Sequence, residues 1–166
     1  MRQEVGVFDC FAETAEKLDG AGILLVAGVK GNPMTIGWGT IGRIWGKPIF
    51  IVLVRPTRYT HALMKGPCEF TVNVPSDSQR KQVGICGVKS GRDVDKAAEC
   101  GFTMRKGNRI AVPYIEECPI HYECKTVHTN DLVNAALDPE LVTEFYSTGN
   151  FHTVYYGEIL GVYRDA

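Results

Sequence analysis

Apolar runs in this chain stop at strand length. The two longest, Ile23–Ala27 and Ile49–Val54, hold five and six residues, far short of the roughly 20 needed to cross a bilayer as a helix. Glycine, proline or asparagine bounds each run, and β-branched and aromatic residues fill the segments between such breaks. That punctuation predicts strands at Ile23–Val29, Thr35–Ile41, Pro48–Val54, Glu69–Val74, Phe102–Arg105, Arg109–Val112, Ile120–His128 and Thr153–Val162. Helical spacing is confined to short pieces: Phe11, Ala12, Ala15 and Leu18, then Tyr59–Lys65, Gln79–Ile85, Asp93–Cys100 with Gly101 as its cap, and Leu141–Tyr146. With no repeat and no linker, the 166 residues read as a single domain over 1–166, mainly β with short helices: a β-barrel with α decoration.

Charge is segregated within this frame. Between Asp19 and Glu69 there is no acidic residue, yet Lys30, Arg43, Lys47, Arg55, Arg58 and Lys65 all lie there. The whole chain is nearly neutral, so its remainder carries a formal charge of −7. A local positive patch of this size favours a small anion. It is too short, and too apolar around its edges, for a nucleic-acid stripe.

Gly37-Trp38-Gly39-Thr40-Ile41-Gly42 matches the dinucleotide fingerprint G-x-G-x-x-G, but its context refuses that reading. The fingerprint opens a helix and is followed about 20 residues later by an acid that holds a ribose. Here Gly42 runs into Arg43-Ile44-Trp45-Gly46-Lys47-Pro48, and no acid occurs before Glu69. Thr35–Thr40 reads instead as a glycine-interrupted strand, either a plain bulged barrel strand or one offering bare backbone to a flat ring, with Trp38 as a neighbouring apolar surface.

Arg55-Pro56-Thr57-Arg58-Tyr59-Thr60 lies where an apolar strand gives way to a predicted helix. Two guanidiniums and several hydroxyls at such a junction suit a phosphate. The plainer reading makes Thr57 an N-cap and the arginines a solvated turn. Cys10, Cys68, Cys86, Cys100, Cys118 and Cys124 form no close pair of the kind zinc sites use and read as small buried hydrophobes in a reducing compartment. The N-terminus lacks the apolar core of a signal peptide, so the cytoplasm is the expected location. His61, His121 and His128 show no metal spacing and read as structural.

The run Asn32-Pro33-Met34-Thr35-Ile36-Gly37-Trp38-Gly39, the apolar strand, Arg55-Pro56-Thr57-Arg58-Tyr59-Thr60 and Phe70-Thr71-Val72-Asn73-Val74-Pro75 together resemble flavin reductase-like proteins of the flavoredoxin group. Ser90-Gly91-Arg92-Asp93-Val94-Asp95-Lys96, Glu123-Cys124-Lys125 and His152 before Gly157-Glu158 extend the resemblance from about residue 20 to the end. It implies a split β-barrel that binds FMN non-covalently, as a homodimer with the flavin at or near the interface. By position, Thr35, Trp38, Gly39 and Thr40 would line the isoalloxazine, and Arg55, Arg58 and Thr60 would hold the phosphate. Ser90, Arg92 and Lys96 would complete the phosphate site; the plainer alternative pairs Asp93 with Lys96 on a helix surface. His152 would face the flavin or its reductant as a proton source, or be a packed strand-start histidine; where relatives often have Gly-Asp before this histidine, the chain has Gly149-Asn150-Phe151.

The activity so implied is NAD(P)H-dependent reduction of flavin, with electrons passing to free flavin, a metal ion or a protein partner. No nucleic acid and no membrane is expected as a partner. Two other readings stay open: a non-enzymatic FMN-binding electron carrier, and a small β-barrel interaction module that uses the basic window on acidic partners or RNA.

Overall fold

The computed structural model describes residues 2–166. Strands β1 (Arg2–Val5), β2 (Ile23–Ala27), β3 (Asn32–Ile36), β4 (Gly39–Ile44), β5 (Lys47–Val54), β6 (Glu69–Val74), β7 (Met104–Arg105), β8 (Tyr114–Ile115), β9 (Ile120–Asp131) and β10 (Thr153–Asp165) are joined by helices α1 (Phe11–Asp19), α2 (Tyr59–Leu63), α3 (Arg80–Val88), α4 (Lys96–Cys100) and α5 (Pro139–Phe145). The main sheet is antiparallel in the order β3-β2-β6-β9-β10-β5-β4, and β7 and β8 form a separate pair. One edge of β10 pairs with β9 along its length, while the other is shared by β5 over Thr153–Glu158 and by β1 over Val162–Asp165. Among the described residues, no helix is long and apolar enough to cross a membrane.

The unbroken apolar run of β2 has a direct cause: both of its faces are buried. Ile23, Leu25 and Ala27 point into the barrel with Phe50, Phe70 and Tyr122. Leu24 and Val26 point outward into a second core with Val83, Cys86, Cys100, Phe102 and Ile115. A strand covered on both faces loses the polar alternation that one wet face would impose. The cysteines are free thiols, all buried except the half-buried Cys68.

Several expected elements are corrected. Thr35–Ile41 is not one strand: β3 ends at Ile36, and Gly37-Trp38 carries the chain to β4 on the opposite edge of the sheet. β3 and β4 are therefore the two free edges, joined by a covalent link rather than by hydrogen bonds, and the barrel is split there. Gly39 permits the landing, because a Cβ on it would lie 2.8 Å from the Ile51 carbonyl oxygen of β5. Arg109–Val112 is a bend, not a strand. The backbone N–H groups of Asn108 and Arg109 donate to the Glu123 carboxylate and that of Ala111 donates to Glu69, so side chains replace a ladder. The helix expected over Asp93–Cys100 starts only at Lys96, where the Asp95 carboxylate accepts the Ala98 N–H as an N-cap; Gly101 closes it in the left-handed conformation, as expected.

Candidate functional site

The split is where two cavities meet. The first, about 260 Å³, is lined by Met34, Thr35, Ile36, Gly37 and Trp38 of the β3 edge and its link, by Leu53 and Arg55, and by Arg58, Gly87 and His152. Because among the described residues β3 pairs only with β2, the backbone groups along its other edge have no ladder partner there and are available to heteroatoms of a ligand. α3 closes the floor: the Thr35 hydroxyl donates to the Val83 carbonyl at 2.6 Å, and a Cβ on Gly87 would lie 3.6 Å from the Thr35 Cβ. Trp38 sits 5.0 Å from both Phe145 and His152, ring centre to ring centre, and forms an aromatic wall.

His152 is buried, and its Nδ1 lies 2.7 Å from the Tyr146 hydroxyl. Burial, aided by the nearby Arg55 guanidinium, holds the imidazole down to about 4, so the ring is neutral at physiological pH.

The second cavity, about 230 Å³, shares Met34 and Arg58 with the first and is completed by Thr57, Tyr59, Thr60, Val88, Lys89, Ser90, Gly91, Arg92 and Lys96. Among the described residues no carboxylate lines it. Arg58 donates to the Gly87 carbonyl at 2.6 Å and touches the Met34 sulfur at 3.4 Å. Arg92 donates to the Thr57 carbonyl at 3.1 Å and lies over the Tyr59 ring. Lys96, only 3% exposed, donates to the Cys86 carbonyl at 3.3 Å. Its ammonium is held below the usual lysine value by burial, with Arg58 adding repulsion. Among the described residues none of these three cations pairs with an acid. A buried ammonium with a single neutral partner is costly, and a bound anion would relieve that cost. The loop that carries Arg92 is tightly held: a Cβ on Gly91 would run into Asn32 Oδ1, and the Asn32 amide donates to Thr60 Oγ1.

The sequence matches the model of the flavin reductase-like domain over residues 12–166. The chain belongs to the flavin reductase-like family. It is 32% identical to an uncharacterized protein of Archaeoglobus fulgidus over 84% of this chain and 69% of that one. A protein of Pyrococcus abyssi is also 32% identical, over 63% of this chain, which spans only 59% of that relative. Among solved structures, flavoredoxin from Methanosarcina acetivorans superposes with a TM-score of 0.68 at 28% identity, over 87% of this chain and 68% of that one. Flavoredoxin of Desulfovibrio vulgaris gives 0.69 at 24% identity, over 87% and 69%. A flavin reductase-like FMN-binding domain from Shewanella baltica gives 0.68 at 18%, over 99% and 78%. The fold is the split barrel of this family.

Within that frame the expected site residues separate. Thr35, Trp38, Arg55 and His152 line the first cavity, Thr60, Ser90, Arg92 and Lys96 line the second, and Arg58 joins the two. Gly39 and Thr40 lie beyond the cavity wall on β4. Arg55 is turned away from the cationic second cavity: its guanidinium donates to the Asn150 and Phe145 carbonyls, both at 2.9 Å, and lies over the Tyr146 ring. Thr57 is not an N-cap; its hydroxyl accepts from the Asn150 amide at 3.0 Å, and Arg58 stands at the cap position of α2. The Asp93–Lys96 surface pair does not form, because Lys96 turns inward. Met34, Gly87 and Tyr146 were missed by sequence reasoning. Only the density of aromatic residues over Phe145, Tyr146, Phe151 and His152 hinted at Tyr146.

Proposed function

We propose that the two cavities together bind FMN and that the protein is an FMN-dependent oxidoreductase with NAD(P)H as reductant. One observation carries the reading: Arg58, Arg92 and Lys96 converge on a cavity without acids, next to a cavity with an open strand edge and an aromatic wall. The arrangement fits a ligand that is flat at one end and anionic at the other. Several solved relatives are FMN-binding proteins, and one from Streptomyces globisporus is an NADH:FAD oxidoreductase.

Each group then has a defined task. Arg58, Arg92 and Lys96 hold the phosphate, with Thr60 and Ser90 as further polar neighbours. The helix α2 is only five residues long, so charge rather than a helix dipole supplies the attraction. The β3 edge orients the ring through backbone groups. Trp38 and Phe145 keep water from the ring face, and His152, neutral and buried, offers a hydrogen bond at the cavity wall. When bound, FMN supplies the hydride-accepting and electron-donating chemistry. Anaerobic mixing of FMN-loaded protein with NADH and with NADPH is expected to bleach the visible flavin band within seconds for at least one of them. Failure of both would leave an FMN-binding electron carrier in place of a reductase.

A second copy of the chain is the proposed partner, with the flavin sites near the contact. Ile51 and Leu53 of β5 and Tyr156 of β10 stand half-exposed on the outer sheet face, flanked by Trp38 at 39% and Trp45 at 59% exposure. Monomeric proteins seldom leave such a patch wet. Sedimentation equilibrium is expected to give twice the chain mass; a monomer at micromolar concentration contradicts this assignment.

A further inference from the structure

We propose that Tyr146 is a positioning residue that fixes the His152 imidazole as its Nε2–H tautomer, so that this histidine meets a ligand in the split as a hydrogen-bond donor rather than as a base. The inference deepens the FMN reading but stands on contacts that do not involve a cofactor.

Tyr146 is 5% exposed, and among the described residues its hydroxyl has one hydrogen-bond partner, His152 Nδ1 at 2.7 Å. A buried phenol needs an acceptor for its hydrogen. Were Nδ1 the donor, the phenolic hydrogen would be left with none. The charged group nearest to both rings is Arg55, which has donors only and cannot accept it. Tyr146 therefore donates, Nδ1 accepts, and the single proton of the neutral ring resides on Nε2.

The arrangement is held from outside the pair. Arg55 donates to the carbonyls of Phe145 and Asn150, which flank Tyr146 in the chain, and its guanidinium carbon lies 5.0 Å over the Tyr146 ring. Asn150, in the left-handed region at φ +59, is pinned by its amide to the Thr57 hydroxyl at 3.0 Å. Phe151 stacks on Tyr146 at 4.9 Å. The segment just after β5 thus clamps the segment just before β10 and aims the phenol at His152.

The other ring nitrogen is left over. No described residue hydrogen-bonds His152 Nε2, yet among the described residues the one side-chain N or O atom sealed from solvent without a partner is Gln82 Oε1. Nε2 is thus open, and His152 forms part of the first cavity's wall. Its N–H would meet a carbonyl oxygen or ring nitrogen presented there.

Nitrogen-15 NMR of the histidine ring in the full-length protein tests this without flavin. The expected spectrum shows His152 with a protonated Nε2 and a hydrogen-bonded, unprotonated Nδ1 from about pH 8 to about pH 5, above its titration near 4. Tyr146→Phe keeps the ring over which Arg55 lies, and is expected to move the Nδ1 resonance to that of an unbonded nitrogen. A protonated Nδ1 in the parent protein, or a Tyr146→Phe spectrum with Nδ1 unmoved, would overturn the proposal. In flavin reduction, His152→Gln retains an N–H near the Nε2 position and should stay within about fivefold of the parent, while His152→Asn, too short to place it there, should lose roughly tenfold in kcat with little change in KM. Equal losses in the two variants would argue against the donor role. If the tautomer result holds and FMN does not bind, the FMN reading alone fails.

Discussion

Arg58→Leu is expected to weaken FMN binding by roughly 10- to 150-fold, the effect of losing about 1.5–3 kcal/mol from a hydrogen bond to a charged group. Among the described residues Arg58 is the one cation that lines both cavities. Its present partners are a carbonyl oxygen and a thioether, so no buried acid is stranded when it is removed. Leucine occupies the space of the aliphatic stem, which confines the loss to charge. Riboflavin, which lacks the phosphate, should bind the variant about as well as it binds the parent. Fluorescence-quenching titrations with both flavins read this directly, and an equal loss for riboflavin would show that Arg58 serves the ring or the fold instead.

Glu123→Leu is expected to cost about 3–5 kcal/mol of stability, the range for breaking a buried charged network on one side. For a chain of this size that lowers Tm by roughly 6–20 °C. Glu123 and His121 are both fully buried. The carboxylate accepts the backbone N–H groups of Asn108 and Arg109 at 2.7 and 2.6 Å. It also faces His121 Nε2 at 3.3 Å, while Arg2 donates to His121 Nδ1. His121 is stacked between Tyr114 and Tyr163. The network joins β1, the 106–113 bend, β9 and β10, and leucine would leave its donors dry and unpaired.

Burial pushes the Glu123 carboxyl up, but the hydrogen bonds from His121, Asn108 and Arg109 outweigh it and hold the group below the ordinary 4.5. Burial likewise holds His121 below its ordinary 6.5. Both groups have folded values under their unfolded ones, so the unfolded chain binds more protons and stability falls as pH falls. The decline begins as the pH drops through about 6.5 and steepens below 4.5, where the penalty of Glu123→Leu should shrink. Thermal melts from pH 8 to pH 4 check the pattern; a penalty independent of pH would mean that leucine harms packing rather than charge.

Much of the architecture was legible because local pattern and tertiary demand agree. β6 was found with its exact bounds, since Glu69–Val74 is β-branched or aromatic at most positions and is bounded by proline at both ends. The break at Gly37-Trp38 was not legible: the apolar character continues through it, and only the separate pairing of β3 with β2 and of β4 with β5 creates it. β1, with the sequence Arg-Gln-Glu-Val, carries no strand signal of its own and is extended because β10 pairs with it. Arg109–Val112 looks like a strand in composition, but its donors are satisfied by Glu123 and Glu69, distant in sequence.

At the site, the acid-free window pointed to an anion, but not to which arginine would face the basic cavity. Arg55 and Arg58 are three residues apart and chemically alike. Arg55 is diverted by the carbonyls of Phe145 and Asn150, ninety and ninety-five positions away. For Lys96 the sequence left a place in the basic cluster and a surface pair with Asp93 both open, because a five-residue helix gives no reliable inward face; its burial follows from the packing of α4 against α3 and β3. The role of Tyr146 depends on a single hydrogen bond across the short turn to His152, which no spacing rule predicts.

The central claim is that the split and its basic extension form one site for a ring and a phosphate. Titration of the parent protein with FMN and with riboflavin, under identical salt and pH, tests it most directly. The account predicts saturable binding of one FMN per chain, with riboflavin weaker by at least about tenfold because Arg58, Arg92 and Lys96 then face no phosphate. Equal affinity for the two flavins, or no binding of either, would contradict it.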